Sequence, residues 1–162
     1  MMLYNSLVDS HLRYGISSWG TCSNTLKLSL QKIQDRVVRN LFSISNEVTN
    51  QDSIIQYYQK LKIMNIENLY NNEISKFMHS IINKYNPPAF DHHLSETTLS
   101  YPTRSSENTL FEIPTPRTCL GKKSIKYIAP QIWTNLPRQI RSLQKRNIFS
   151  HKLKSHLIGI HN

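Results

Sequence analysis

The chain has 162 residues, of which 38% are hydrophobic, and a formal net charge of +10. That length suits one compact domain or two small subdomains, and the apolar share allows a core while leaving much of the chain solvated. Four glycines argue against a turn-rich all-β fold, and no apolar run approaches the ~20 residues of a membrane span.

In chain order, the first candidate helix carries Leu3, Leu7, Leu12, Ile16 and Trp19, with steps of 4, 5, 4 and 3. Val8 covers the irregular step; Gly15 weakens the helix and Gly20 is a stop. This stretch also carries Asp9, His11 and Arg13, so it lacks the uninterrupted apolar core of a secretion signal. The second helix is more regular: Leu26, Leu30, Ile33, Val37, Leu41 and Ile44 step by 4, 3, 4, 4 and 3. Asn24 or Thr25 can cap it, and Lys27, Lys32, Arg36 and Arg39 lie mostly off the apolar stripe. Together the two form an αα-hairpin. Asp52 or Ser53 opens a short helix through Ile54, Ile55, Tyr58 and Leu61. Asn65 then caps a longer one with Ile66, Leu69, Tyr70, Ile74, Phe77, Met78, Ile81 and Ile82 on its apolar side. Pro87-Pro88 ends the helical region.

From Ala89 to Arg117 the periodicity fades. Pro102, Pro114 and Pro116 forbid a regular helix, while Leu110, Phe111, Glu112 and Ile113 alternate as a short edge strand would. Order resumes at Gly121. Ser124 caps a short helix with Ile125, Tyr127 and Ile128, and Pro130 suits the first turn of the next, around Ile132 and Trp133. Pro137 stops it. A last helix runs from about Lys145 to Ile158, with Ile148, Phe149, Leu153 and Leu157 inward and Lys152, Lys154 and His156 outward. The expected architecture is mainly α. A small helical bundle occupies 1–86, a Pro-rich connector 87–117 with room for one short strand pair, and a basic helical segment 118–162.

Charge is distributed unevenly. Residues 1–70 hold 7 Lys/Arg and 5 Asp/Glu, residues 71–116 hold 3 and 5, and residues 117–162 hold 10 and none. Lys122, Lys123, Lys126, Arg138, Arg141, Lys145, Arg146, Lys152 and Lys154 thus occur with no acidic residue among them. Solvated surfaces ordinarily mix signs. A one-sign cluster suits phosphate contact, in which bound cations release condensed counterions. Such contacts position a protein on its partner but read no sequence.

Other residue types suggest less. Cys22 and Cys119 have no CxxC or Cys/His pattern around them, and free thiols in a reducing compartment are the plain reading. His92-His93 beside Asp91 is a lone pair in a loop, so no metal or other cofactor is expected. Trp19 and Trp133 suit core anchors better than base-stacking platforms, and His11 and Tyr14 suit packing or local hydrogen bonds. The four aspartates, Asp9, Asp35, Asp52 and Asp91, include no adjacent pair, and no nucleophile elbow is present. Catalysis by this chain is not expected.

Two stretches carry a family resemblance. Leu3-Tyr4-Asn5-Ser6-Leu7-Val8-Asp9-Ser10-His11-Leu12-Arg13-Tyr14-Gly15-Ile16 with Trp19-Gly20 resembles the start of the thumb in reverse transcriptases of LINE-type (non-LTR) retrotransposons. Gly121-Lys122-Lys123-Ser124-Ile125-Lys126-Tyr127-Ile128-Ala129-Pro130-Gln131-Ile132-Trp133-Thr134-Asn135-Leu136-Pro137 resembles a block near the end of the same proteins. Tyr101-Pro102-Thr103-Arg104 and the spacing of Phe149, Lys152, Leu153 and Leu157 are similar to further elements, in family order. Ser10 stands where proline is usual, Ala129 where glycine is common and Thr134 where asparagine is usual.

The resemblance covers thumb and tail only. The family's polymerase site needs neighbouring carboxylates for two Mg²⁺ ions, and these are absent here, as is any endonuclease-like segment. The resemblance implies a thumb that touches template–primer backbone, with Lys27, Lys32, Arg36 and Arg39 as candidates. For these four a solvated helix face is the first reading and contact the second. It also implies RNA or DNA as partner of the basic terminal segment, and an upstream polymerase region as partner in an intact RNA-directed DNA polymerase. The competing expectation is a structural or protein-interaction helical domain whose basic tail meets an acidic partner.

Overall fold

The computed structural model describes residues 2–41, 43, 51–90, 111 and 113–159. It is mainly α-helical, as the periodicity predicts. No strand beyond the single bridged residue Phe111 occurs among the described residues. Ile44, the expected last member of the second apolar stripe, lies outside them. So do Asp91, His92, His93, Tyr101–Arg104, Leu110 and Glu112.

The helices are α1 (Met2–Tyr4), α2 (Ser10–Arg13), α3 (Ile16–Trp19), α4 (Asn24–Leu41), α5 (Gln51–Leu61), α6 (Ile66–Ile82), α7 (Ile125–Asn135), α8 (Arg138–Arg141) and α9 (Arg146–Gly159). They fall into two compact units, Met1–Glu73 with Lys154–Asn162, and Ile74–Leu153. The division falls inside α6 and α9, whereas the composition changes near residues 86 and 117.

In the first unit, α1 and α2 are joined by a π turn over Asn5–Asp9. That wider turn suits an inward face spaced by fours, Tyr4, Val8 and Ile16, rather than the stripe through Leu7. It also moves the inward face. Tyr4 and Ile16 are buried and Val8 packs against the core, whereas Leu3 and Leu7 are exposed. Gly15 takes a left-handed φ of 63°, which breaks the helix before α3. At Gly20 a Cβ would collide with the Tyr70 ring and the Ile16 carbonyl, so the Trp19-Gly20 pair has a steric reason. The core here gathers Tyr4, Val38, Ile54, Tyr58 and Ile63, with Val8, Val37, Tyr57 and Leu61 against it.

Helix α4 departs most from expectation. Leu26 and Ile33, which should lead its buried stripe, are 57% and 59% exposed, while Gln34 is 1% exposed. The inward face is polar because partners elsewhere pair most of its polar groups. Gln34 Nε2 donates to Tyr4 Oη at 2.7 Å and to the Met64 carbonyl at 2.9 Å. Gln31 Oε1 accepts from the Ile66 amide at 3.0 Å, and Asp35 Oδ1 accepts from Tyr58 Oη at 2.7 Å and Gln31 Nε2 at 2.8 Å. The Nε2 pairing offsets part of the amide's cost of leaving water, while Gln34 Oε1 finds no partner among the described residues.

Helix α5 starts at Gln51, so Asp52 and Ser53 lie inside its first turn instead of capping it. It ends in a left-handed Lys62 (φ 54°), with Ile63 N donating to the Tyr58 carbonyl at 2.9 Å. This is the helix-ending geometry in which glycine is the usual residue. Asn65 caps α6 as expected, its Oδ1 accepting from the Asn68 amide at 2.8 Å. Further along the same unit, Asn68 Nδ2 donates to the Leu157 carbonyl at 2.7 Å.

The second unit has an aromatic centre. Phe149 is fully buried, stacks on His79 at 4.1 Å and lies 5.8 Å from Trp133. His79 Nε2 donates to the Leu143 carbonyl at 2.7 Å, which fixes the imidazole edge. Ser124 caps α7 as expected. Pro130, however, lies within α7 and does not begin a new helix. It removes one backbone donor, and the burial of Ala129, Pro130 and Trp133 together offsets the loss. Pro137 does follow the end of α7, but α8 begins at once after it. In α9, Phe149, Leu153 and Leu157 are buried as predicted. Ile148, expected inward, is exposed, and His156, expected outward, is half-buried, so the inward face is shifted from the expected one.

Candidate nucleic-acid interface

Lys122 and Lys123 stand on a 3₁₀ turn over Gly121–Lys123, closed by the Gly121 amide on Thr118 Oγ1 at 3.0 Å. Lys126 follows in the first turn of α7, where Ser124 Oγ accepts from its amide. All three side chains are exposed. The turn chemistry therefore places three cations within five residues, with Ile125 among them and Tyr127 just after them half-buried.

The remaining basic residues differ in setting. Lys145, Arg146 and Lys152 are exposed at the start of and along α9. Arg138 is exposed and Arg141 half-buried on α8; burial first, and the Arg138 charge second, lower the Arg141 pKa. Lys154 is also exposed, but it belongs to the first unit, whereas Lys122 through Lys152 belong to the second. Lys32 and Arg36 are exposed one turn apart on α4, and Arg39 on the same helix is half-buried. At 100° per residue, Lys32 and Arg36 lie opposite the buried Gln34 and Val38. Lys27 is half-buried, its Nζ 5.5 Å from the Tyr70 ring centroid.

Two further basic residues escaped the sequence reading. A cavity of about 390 Å³ in the first unit is walled in part by Arg13, Lys60, Lys62, Lys154 and Asp9. Lys154 lies 92 residues beyond Lys62, so no local pattern announces that they share a wall. The one visible signal is the pair Lys60 and Lys62 at the end of α5, where a cation also favours the helix dipole.

A larger cavity of about 590 Å³ in the same unit is lined by Lys27, Gln31, Asp35, Tyr58 and Glu67 among others. Its charges are mixed, and the Asp35 carboxylate already accepts two hydrogen bonds. Burial, and then the bond to Asp35, push the Tyr58 hydroxyl well above its ordinary value. Burial likewise raises Tyr4 to about 12. Among the described residues, no three His, Cys, Asp or Glu side chains gather as a metal site would require. Cys22 and Cys119 are both free thiols. No helix among the described residues is long and apolar enough to cross a membrane.

Comparison with known proteins adds no relative: no protein-family model, no curated protein and no solved structure matches this chain.

Proposed function

We propose that this chain binds RNA or DNA through its basic terminal segment and belongs to the thumb-and-tail part of a LINE-type reverse transcriptase, without polymerase chemistry of its own. One observation carries the binding: residues 117–162 hold 10 Lys/Arg and no Asp/Glu. Lys122, Lys123 and Lys126, exposed on the 3₁₀ turn and the first turn of α7 that follows it, are its densest part. The motifs around Leu3–Gly20 and Gly121–Pro137 support the origin. Gly15 and Gly20, two residues of the first motif, have backbone and steric reasons to be glycine. With no adjacent pair of aspartates in the sequence, the chain is expected to incorporate no nucleotide on a primed template with Mg²⁺.

Fluorescence-anisotropy titration of labelled RNA and DNA of arbitrary sequence tests the reading. If about five cations contact phosphate, log affinity falls against log salt with a slope of about −3.5 on single strands and about −4.5 on duplex. Sequence has little effect. Absence of binding at low salt contradicts the proposal.

A second reading is a protein-interaction domain. The observation that favours it is the apolar stripe left exposed on α4 at Leu26 and Ile33. Saturable binding to a protein partner, with no affinity for nucleic acid, is the result that selects it.

A further inference from the structure

We propose that the cavity beside the end of α5 is a phosphate-binding site formed by Lys60, Lys62 and Lys154. Four basic residues contribute to its wall and only one acid, Asp9. That acid is already engaged: Asp9 Oδ2 accepts from Arg13 Nε at 2.6 Å, and Arg13 Nη1 also reaches Glu73 Oε1 at 2.6 Å. Arg13 is therefore neutralised twice over. Lys60, Lys62 and Lys154 are exposed, and among the described residues none of them forms an ion pair.

Three like charges around one concavity repel each other. Buried Tyr4, Ile63 and Met64 also line it, and such low-dielectric walls focus the field into the cleft. A multiply charged anion relieves that repulsion. Ammonium groups act as point charges without the planar fork that selects carboxylates, and they suit a tetrahedral oxyanion.

The ligand is a phosphate group, free as in pyrophosphate or presented by a polynucleotide backbone. The site takes only Lys154 from the terminal segment, and Lys60 and Lys62 were not among the residues expected from sequence. The test is a ¹H–¹⁵N NMR titration of the full chain, with inorganic pyrophosphate in one arm and single-stranded DNA of arbitrary sequence in the other. Saturable shifts are expected at the amides of Lys60 to Met64 and at Lys154. Lys62→Gly should weaken pyrophosphate binding about tenfold, the loss of one charge-assisted hydrogen bond. It should leave the fold intact, since glycine suits that backbone. Lys60→Gln with Lys154→Gln provides a second variant, which removes two such contacts and should weaken binding by more than Lys62→Gly does.

Shifts with pyrophosphate alone support the site and assign it to free phosphates. Shifts with DNA, lost in Lys62→Gly, support it and assign it to a nucleic-acid backbone. If DNA binds nowhere on the chain while pyrophosphate saturates this cavity, the site stands and the nucleic-acid reading falls. If neither ligand moves these amides, or if the shifts are linear and indifferent to Lys62→Gly, the proposal is overturned.

Discussion

Helices α4 and α9 both carry an apolar stripe at helical spacing, and they use it in opposite ways. In α9, Phe149, Leu153 and Leu157 are buried. In α4, Leu26 and Ile33 lie exposed, and the helix buries Gln34 and Val38 instead. Hydrophobic periodicity reports which face would gain most by leaving water. It does not report whether a polar face has partners waiting, and α4 has them in Tyr4, Tyr58, Met64 and Ile66. An amphipathic stripe is therefore evidence for a helix before it is evidence for a buried face.

The contrast can be broken by mutation. Phe149→Ala removes an aromatic ring that stacks on His79 and neighbours Trp133, and should cost about 3–5 kcal/mol in urea denaturation. A loss under about 1 kcal/mol would mean that α9 is not held by its apolar face. Gln34→Ala should cost less, about 1–3 kcal/mol, by leaving the buried Tyr4 hydroxyl and Met64 carbonyl without their partner. A neutral result there would remove the explanation given for the orientation of α4.

The polar face also predicts a pH dependence. The Tyr58 hydroxyl has a raised pKa in the folded chain. Above the unfolded value of about 10, the unfolded chain loses this proton while the folded one retains it. The contribution is fully present below that pH and is lost as pH rises toward the folded value. Stability should thus fall above pH of about 10, and less steeply in Tyr58→Phe. Equal slopes in chemical denaturation series of the two proteins would contradict the link. The smallest effect belongs to the exposed stripe: Ile33→Ser should change stability by no more than about 0.5 kcal/mol. A cost of 2 kcal/mol or more, the order of a buried side chain, would sharpen the comparison by showing that α4 buries both faces in solution.

Much of the fold was legible where the signal is local. Asn65 and Ser124 cap the helices they were expected to cap, Pro87-Pro88 follows α6, and α9 spans Arg146–Gly159 near the expected bounds. What escaped depends on distant partners or unusual backbone. The π turn at Asn5–Asp9 rotates Tyr4 and Val8 inward, and no composition rule marks it. Pro130 reads as a helix start because its ring suits a first turn, yet burial carries α7 through it. For the candidate sites the division is similar. The terminal cations stand out because acids are absent around them over 46 residues. Lys60 and Lys62 sit among residues of both signs, and only the fold places Lys154 beside them.

The central claim is that the terminal cations, and not those of α4, contact phosphate. Two variants separate them: Lys122→Gln with Lys123→Gln and Lys126→Gln, and Lys32→Gln with Arg36→Gln. Both sets are exposed, so folding should survive in each, as circular dichroism can verify. In anisotropy titrations against labelled RNA across a salt series, the terminal variant should lose affinity for all sequences alike. Its log–log slope should flatten by about 2 units, three lost contacts at single-strand strength, while the α4 variant keeps the wild-type slope. An unchanged slope in the terminal variant, or a flattening confined to the α4 variant, would contradict the account.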